Sequence, residues 1–226
     1  MARLGVSARL TSRPLGLPPG ALAPPGLREI AAGSGRPSLL YAPPGLDPET
    51  PAPFAVLCHG AGSDAPAGLS LLRDLADETG TILLAPASRA PTWDVIAGGY
   101  GPDVAVIDAA LEQVFAIHAV DPARLALGGF SDGASYALSL GLSNGSLFSH
   151  LIAFSPGFAS PARPEGAPRI FMTHGAGDRV LPIERCSRRL APLLRDAGYD
   201  LSYEAFDGGH VVPPDLARAA MRWLVD

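Results

Sequence analysis

Residues 128–138 read GGFSDGASYAL, which sets Ser131 between Gly129 and Gly133 in the spacing Gly-x-Ser-x-Gly. The spacing alone is a weak signal, and its setting is what gives it weight. It follows the apolar run LALGGF (125–130) and opens a segment of helical character from Ala134 onward. A strand-to-helix turn at that place strains the backbone at the serine and lifts its hydroxyl above the sheet. It also requires small residues two before and two after, because strand and helix approach closely there. The bland alternative is a Gly-rich connection with an incidental serine.

A serine hydroxyl attacks a carbonyl only when a base takes its proton and a third group orients that base. Of the five histidines, His59 and His174 sit in two Gly turns, HGAG at 59–62 and again at 174–177. His118 ends a helical segment and His150 precedes an apolar run. His210, in FDGGHVVPP, follows the last apolar run, on a loop able to lean over Ser131. For the acid, Asp178 follows the run RIFMT (169–173), at a strand end between serine and histidine in chain order. Asp207, three residues before His210, is the rival; it is expected to shape its own loop.

These side chains need a frame. Short apolar runs that read as buried strands lie at 38–42, 54–58, 81–85, 125–130, 151–155, 169–173 and 201–206. Segments of helical period alternate with them. Leu69, Leu72, Leu75 and Ala76 form one stripe, and Val104, Ile107, Leu111, Val114 and Phe115 another. Residues 133–143, 182–196 and 214–224 complete the set, with Asp103 and Pro182 as start signals. This alternation predicts an α/β fold with a mostly parallel sheet covered by helices on both faces. In such a sheet the ligand site lies beyond the carboxyl ends of the strands, where the Gly turns and the candidate residues are found. At the N-terminal end, extended edge segments are expected at Arg3–Leu10 and Leu27–Ala31. The Pro/Gly-rich stretch 13–26 joins them.

Composition narrows the chemistry. At 226 residues and 23.2 kDa the chain fits one domain, 1–226, with residues 1–36 as edge strands and linker. A net charge of -5 and a pI near 5.5 argue against a nucleic-acid partner. The sequence has no lysine, which removes a Walker-type phosphate loop, Schiff-base chemistry and a Ser-Lys dyad. Cys58 and Cys186 do not make a disulfide framework, and Cys58 reads as a small buried hydrophobe. No His/Cys/Asp cluster has metal-ligand spacing, so neither metal nor cofactor is expected. With no signal-like or membrane-length apolar stretch, the expectation is a cytoplasmic protein without membrane insertion, monomeric or homodimeric.

The pieces LCHGAGSD, GGFSDGASYALSLGL, HGAGDRVLP and FDGGH together resemble the α/β-hydrolase carboxylesterases, close to the bacterial phospholipase/carboxylesterase and acyl-protein thioesterase branch. The resemblance implies the α/β-hydrolase fold, with Ser131 as nucleophile, Asp178 as orienting acid and His210 as general acid and base. It implies the backbone N–H groups of Ala61 and Asp132 as oxyanion donors. The two HGAG turns then do two jobs: the first aims an amide at the site, the second delivers a carboxylate to His210. Acyl-protein thioesterases usually carry Gln where this chain has Asp132, and here Ser63 stands before Asp64 in their HGxGD pattern. Their thioester substrate is therefore not carried over. Dienelactone hydrolase, with Cys as nucleophile, is excluded by Ser131.

Only residues 156–168 connect the fifth apolar run (151–155) to the next strand, too few for a helical cap, so no large lid and an open cleft are expected. Trp93, Phe158 and Leu181 are candidates to line it. The resulting expectation is a serine carboxylesterase acting on short- to medium-chain esters through an acyl-enzyme. The alternatives are a serine peptidase or amidase, a polyester-cleaving hydrolase, and, with least support, an inactive binding protein.

Overall fold

The computed structural model describes residues 8–14, 23–33 and 35–226. Among them, eight strands form one sheet: β1 Gly26–Ile30, β2 Ser38–Ala42, β3 Ala52–Cys58, β4 Ile82–Ala85, β5 Val120–Phe130, β6 His150–Phe154, β7 Arg169–Gly175 and β8 Leu201–Phe206. Their order is β1-β2-β4-β3-β5-β6-β7-β8. β1 and β2 pair antiparallel, as do β2 and β4; every pairing from β4 through β8 is parallel.

Parallel strands buried on both faces should read as unbroken apolar runs rather than as alternating ones. β3 (APFAVLC) is buried at all seven positions. Its Phe54, Val56 and Cys58 face one core, while Ala55 and Leu57 face the other. Cys58 is buried there as a small apolar residue, as its setting in the sequence suggested. On the first side pack α3 Pro102–Ile117, α4 Asp132–Leu142 and α5 Ser187–Asp196. On the second pack α1 Ala65–Ser70, α2 Arg73–Thr79 and α6 Pro214–Val225.

Several elements differ in detail from the sequence expectation. The stripe Leu69–Ala76 is two helices, because Leu72 leaves helical geometry (φ -134°, ψ 5°). All four apolar residues still enter one core. The segment 182–196 is a 3₁₀ turn, Ile183–Arg185, followed by α5, with the break at Cys186. Asp103 is not a cap: Pro102 opens α3 after Gly101, and the Asp103 carboxylate accepts hydrogen bonds from Arg89 N and Asp94 N. The edge strand expected at Arg3–Leu10 lies largely outside the described residues, as does most of the Pro/Gly stretch. Residues 8–14 have no regular structure. They are pinned to the turn after α4 by Leu10 N on Asn144 and to α3 by Thr11 and Ser12 on Asp108. Among the described residues no helix is long and apolar enough to cross a membrane.

Candidate active site

The tight turn between β5 and α4 places Ser131. Its backbone takes φ 58°, ψ -121°, a conformation that a residue with a side chain adopts only under local constraint. The constraint is visible at Gly133, where a Cβ would lie 2.1 Å from the Cys58 carbonyl oxygen and 2.5 Å from that of His59. Helix α4 therefore enters against the end of β3 with no room for a side chain. Ser131 N donates to Phe154 O (2.9 Å), which fixes the turn to β6.

His210 reaches the serine from the loop after β8. Its Nε2 lies 2.8 Å from Ser131 Oγ and its Nδ1 lies 2.5 Å from Asp178 Oδ2. The close passage of that loop over β7 depends on Gly175, where a Cβ would sit 2.2 Å from Gly209 O. Asp178 is held from its other oxygen: Oδ1 accepts from Val180 N and Leu181 N, both at 2.8 Å. Burial works to raise the Asp178 carboxyl, but hydrogen bonds from His210, Leu181 and Val180 outweigh it and hold the group below its ordinary value. Ser131, Asp178 and His210 thus form one hydrogen-bonded chain across three strand ends. Asp207 is exposed and makes no hydrogen bond to His210.

The two HGAG histidines are staples. His59 Nε2 accepts from Ser88 N (3.1 Å), so its proton resides on Nδ1, which donates to Gly60 O (2.7 Å). His174 Nε2 donates to Leu181 O (2.7 Å) and lies 3.2 Å from Asp178 Oδ2, while its Nδ1 accepts from Ser187 Oγ. Ser187 is the first residue of α5, directly after the break at Cys186. Burial lowers the pKa of both imidazoles, favouring these neutral arrangements. His174 therefore helps to orient the same carboxylate oxygen that His210 uses. The sequence placed it in a Gly turn and showed no sign of that contact.

On the opposite flank, Gly60 lies against Ser131: a Cβ there would be 3.6 Å from Ser131 Cβ. The following residue, Ala61, is exposed in a turn closed by Ser63 N on Gly60 O (3.2 Å) and braced by Gly62 N on Pro91 O (2.6 Å). Asp132 is the first residue of α4, where an N–H has no partner within its helix. Its carboxylate accepts from Thr92 Oγ1 at 2.6 Å, tying residues 90–93 to the turn. Asp64, displaced by Ser63, caps α1 through Ala67 N (3.3 Å).

Of the three residues expected to line a cleft, Trp93 does not. It is fully buried, stacks on Tyr136 (ring centroids 4.7 Å apart) and donates from Nε1 to His59 O (2.8 Å). An indole that finds a buried acceptor is satisfied in the core, and from there it braces the first HGAG turn. Phe158 and Leu181 are half-buried, and Leu181 lies beside Gly157 in the 156–168 connection. That connection carries no helix. It is laced to α4 by a ladder absent from the sequence reading: Ser135, Ser139 and Ser143, four apart, accept from Gly157 N, Ser160 N and Ala162 N. Each hydroxyl donates back one turn along α4.

Comparison with known proteins bears on the family and the fold. The profile of the phospholipase/carboxylesterase family matches residues 104–224, more than half of the chain. Acyl-protein thioesterase 1 of Gibberella zeae is 34% identical over 104 residues, covering 42% of this chain and 44% of that protein; the match spans less than half of that relative. Among solved structures, esterase PE8 is 27% identical with a TM-score of 0.67, covering 82% of this chain and 95% of its own. A phospholipase/carboxylesterase from Dyadobacter fermentans, 18% identical, shares the fold with a TM-score of 0.64, covering 92% of this chain and 99% of its own. With its eight-stranded, mostly parallel sheet and its matched profile, the chain belongs to the phospholipase/carboxylesterase family of α/β-hydrolase ester hydrolases.

Proposed function

We propose that this protein is a serine carboxylesterase that hydrolyses short- to medium-chain carboxylic esters through an acyl-enzyme. The observation that carries the reading is the chain Ser131 Oγ–His210 Nε2 at 2.8 Å and His210 Nδ1–Asp178 Oδ2 at 2.5 Å. His210 Nε2 takes the Ser131 proton as Oγ bonds to the ester carbonyl carbon. The carbonyl oxygen becomes an oxyanion, met by the N–H groups of Ala61 and Asp132; fixed donors of this kind are worth roughly 3–4 kcal/mol each. The imidazolium, stabilised by Asp178, then gives its proton to the alcohol oxygen as the carbon–oxygen bond breaks. Water repeats the steps against the acyl-serine and releases the acid. None of these steps calls for a metal or a cofactor.

A short acyl preference follows from the 156–168 connection. It is a strap without a helix, so the acyl side offers Phe158, Leu181 and the exposed Val180 rather than a covered tunnel. Each buried methylene contributes about 0.8 kcal/mol, and chain left in water contributes nothing to transition-state binding. Rates on p-nitrophenyl esters with acyl chains of two to sixteen carbons test the reading. A maximum below about ten carbons, with no jump at the solubility limit, is expected. A maximum at twelve or more, or such a jump, would mean a deep or covered acyl site.

A further inference from the structure

Beside His210 lies a cavity of about 610 Å³ that the steps above leave unused. Its inner wall is His210, Gly60 and Phe130, whose ring lies 4.6 Å from the His210 ring. Its outer walls are mostly apolar, with Leu71 and Leu75 from the α1–α2 region, Val212 from the loop after β8 and Ala217 from α6, and Ser63 and Ser70 stand among them. Exposed Asp74 and Arg218 also border it, and Arg218 is already paired with Glu78 at 2.6 Å. Ser131, Ala61 and Asp132 are not among its walls.

That division has a stereochemical meaning. A carbonyl carbon bonded to Ser131 Oγ, with its oxygen toward the Ala61 and Asp132 amides, has two substituents left. One is the leaving oxygen, which must reach His210 Nε2 to receive a proton. A cavity that shares the His210 wall but neither oxyanion amide lies where the leaving group goes. The acyl chain is directed to the other side, toward Phe158 and Leu181.

We propose that this cavity binds the alcohol part of the substrate, and that it selects uncharged, apolar alcohols of more than a few carbons. The inference rests on the esterase reading and adds its substrate class: a short acyl group on a hydrophobic alcohol. The size is in the range of small-molecule sites, and apolar walls with a few polar groups at one end are their usual make-up. The same cavity serves the reverse direction. An alcohol bound there loses its proton to His210 as its oxygen bonds to the acetyl carbon of acetyl-Ser131, and His210 returns that proton to Ser131 Oγ as the carbon–Oγ bond breaks, giving an acetate ester and free serine.

Ethyl, butyl, hexyl and octyl acetates share one acyl group and nearly one leaving-group basicity, so kcat/KM across them reports binding on the alcohol side during acylation. A buried methylene is worth up to roughly fourfold, and the hexyl-to-ethyl ratio is expected to be at least about tenfold. Ala67→Trp, a half-exposed wall residue on α1, fills the cavity. It should bring that ratio, measured within the variant, to within about threefold of unity. As a readout independent of any variant, hexanol should capture the acetyl group from p-nitrophenyl acetate at least about tenfold better than ethanol at equal concentration. Absence of hydrolysis on every ester would overturn the esterase reading itself. Hydrolysis with a flat alkyl series and no hexanol preference would overturn the alcohol site alone, as would an Ala67→Trp protein that keeps the wild-type ratio.

Discussion

Replacing Asp178 by asparagine changes one atom and should disable the site through a tautomer. In the wild-type arrangement Oδ1 accepts from the amides of Val180 and Leu181 at 2.8 Å each. Asparagine must keep its carbonyl oxygen there, because an NH2 group would face two N–H donors. Its nitrogen then falls where Oδ2 was, 2.5 Å from His210 Nδ1 and 3.2 Å from His174 Nε2. His210 escapes the donor–donor clash by moving its proton to Nε2, so Nδ1 can accept. Nε2 now presents a hydrogen to Ser131 Oγ and cannot take one. In serine hydrolases a wrong tautomer of this kind lowers kcat by about 10⁴, equivalent to about 5 kcal/mol of transition-state stabilisation. Asp207→Asn is the control: that carboxylate is exposed and makes no bond to the imidazole, so its kcat should stay within about twofold. Single-turnover and steady-state rates on p-nitrophenyl butyrate measure both. Retention of more than about a tenth of kcat in Asp178→Asn, or an equal loss in Asp207→Asn, would refute the reasoning.

Two further perturbations probe the frame around the site. Gly133→Ala puts a Cβ 2.1 Å from Cys58 O and 2.5 Å from His59 O, both main-chain atoms of packed elements. It should lower stability by at least about 3 kcal/mol in urea titration or leave no folded protein; a loss under about 1 kcal/mol would mean the turn is not tightly held. The third test is pH. Asp94 is pushed up to about 6 by burial first and then by the neighbouring Asp103 carboxylate. A carboxyl raised on folding binds its proton more tightly in the native state. Its contribution is greatest in acid and is lost as pH rises from about 4 through about 6. Asp94→Asn lacks that loss, so Tm of the variant minus Tm of wild type should grow from pH 4 to pH 7; a constant or shrinking difference contradicts it.

Much of this architecture was legible because the central strands β3, β4 and β6 are buried on both faces. β3 is an unbroken apolar run and β6 is one from Leu151 onward, and runs of that kind need no periodicity to be seen. The elbow was legible because its glycines answer to steric demands that only strand-turn-helix geometry makes. What escaped was set by tertiary contact. Trp93 looked like a cleft residue because it lies in a polar loop near the strand ends, yet its indole N–H found the His59 carbonyl and its ring found Tyr136. The contact between Thr92 and Asp132 spans 40 positions in the chain, and nothing local announces it. Helix breaks at Leu72 and Cys186 occur without Gly or Pro at either place. The apolar stripes run through them unchanged, so periodicity reports the buried face and not the interruption. The serine ladder on α4 did have a signal, in serines at 135, 139 and 143, but its partner is an irregular loop that no periodicity describes. The cavity beside His210 is built from α1, α2, α6 and the β8 loop, elements that meet only in the folded chain.

The reading as a whole stands on the reactivity of a single hydroxyl. Incubation with a fluorophosphonate probe, followed by intact mass and peptide mapping, measures it before any substrate is known. One adduct is expected, on Ser131, its formation slowed strongly in Asp178→Asn. Ser131→Ala should take up no probe and lose ester hydrolysis by several orders of magnitude, with an unchanged circular dichroism spectrum. Labelling at another residue, no labelling of folded protein, or a Ser131→Ala variant with more than about a tenth of wild-type hydrolysis would contradict it.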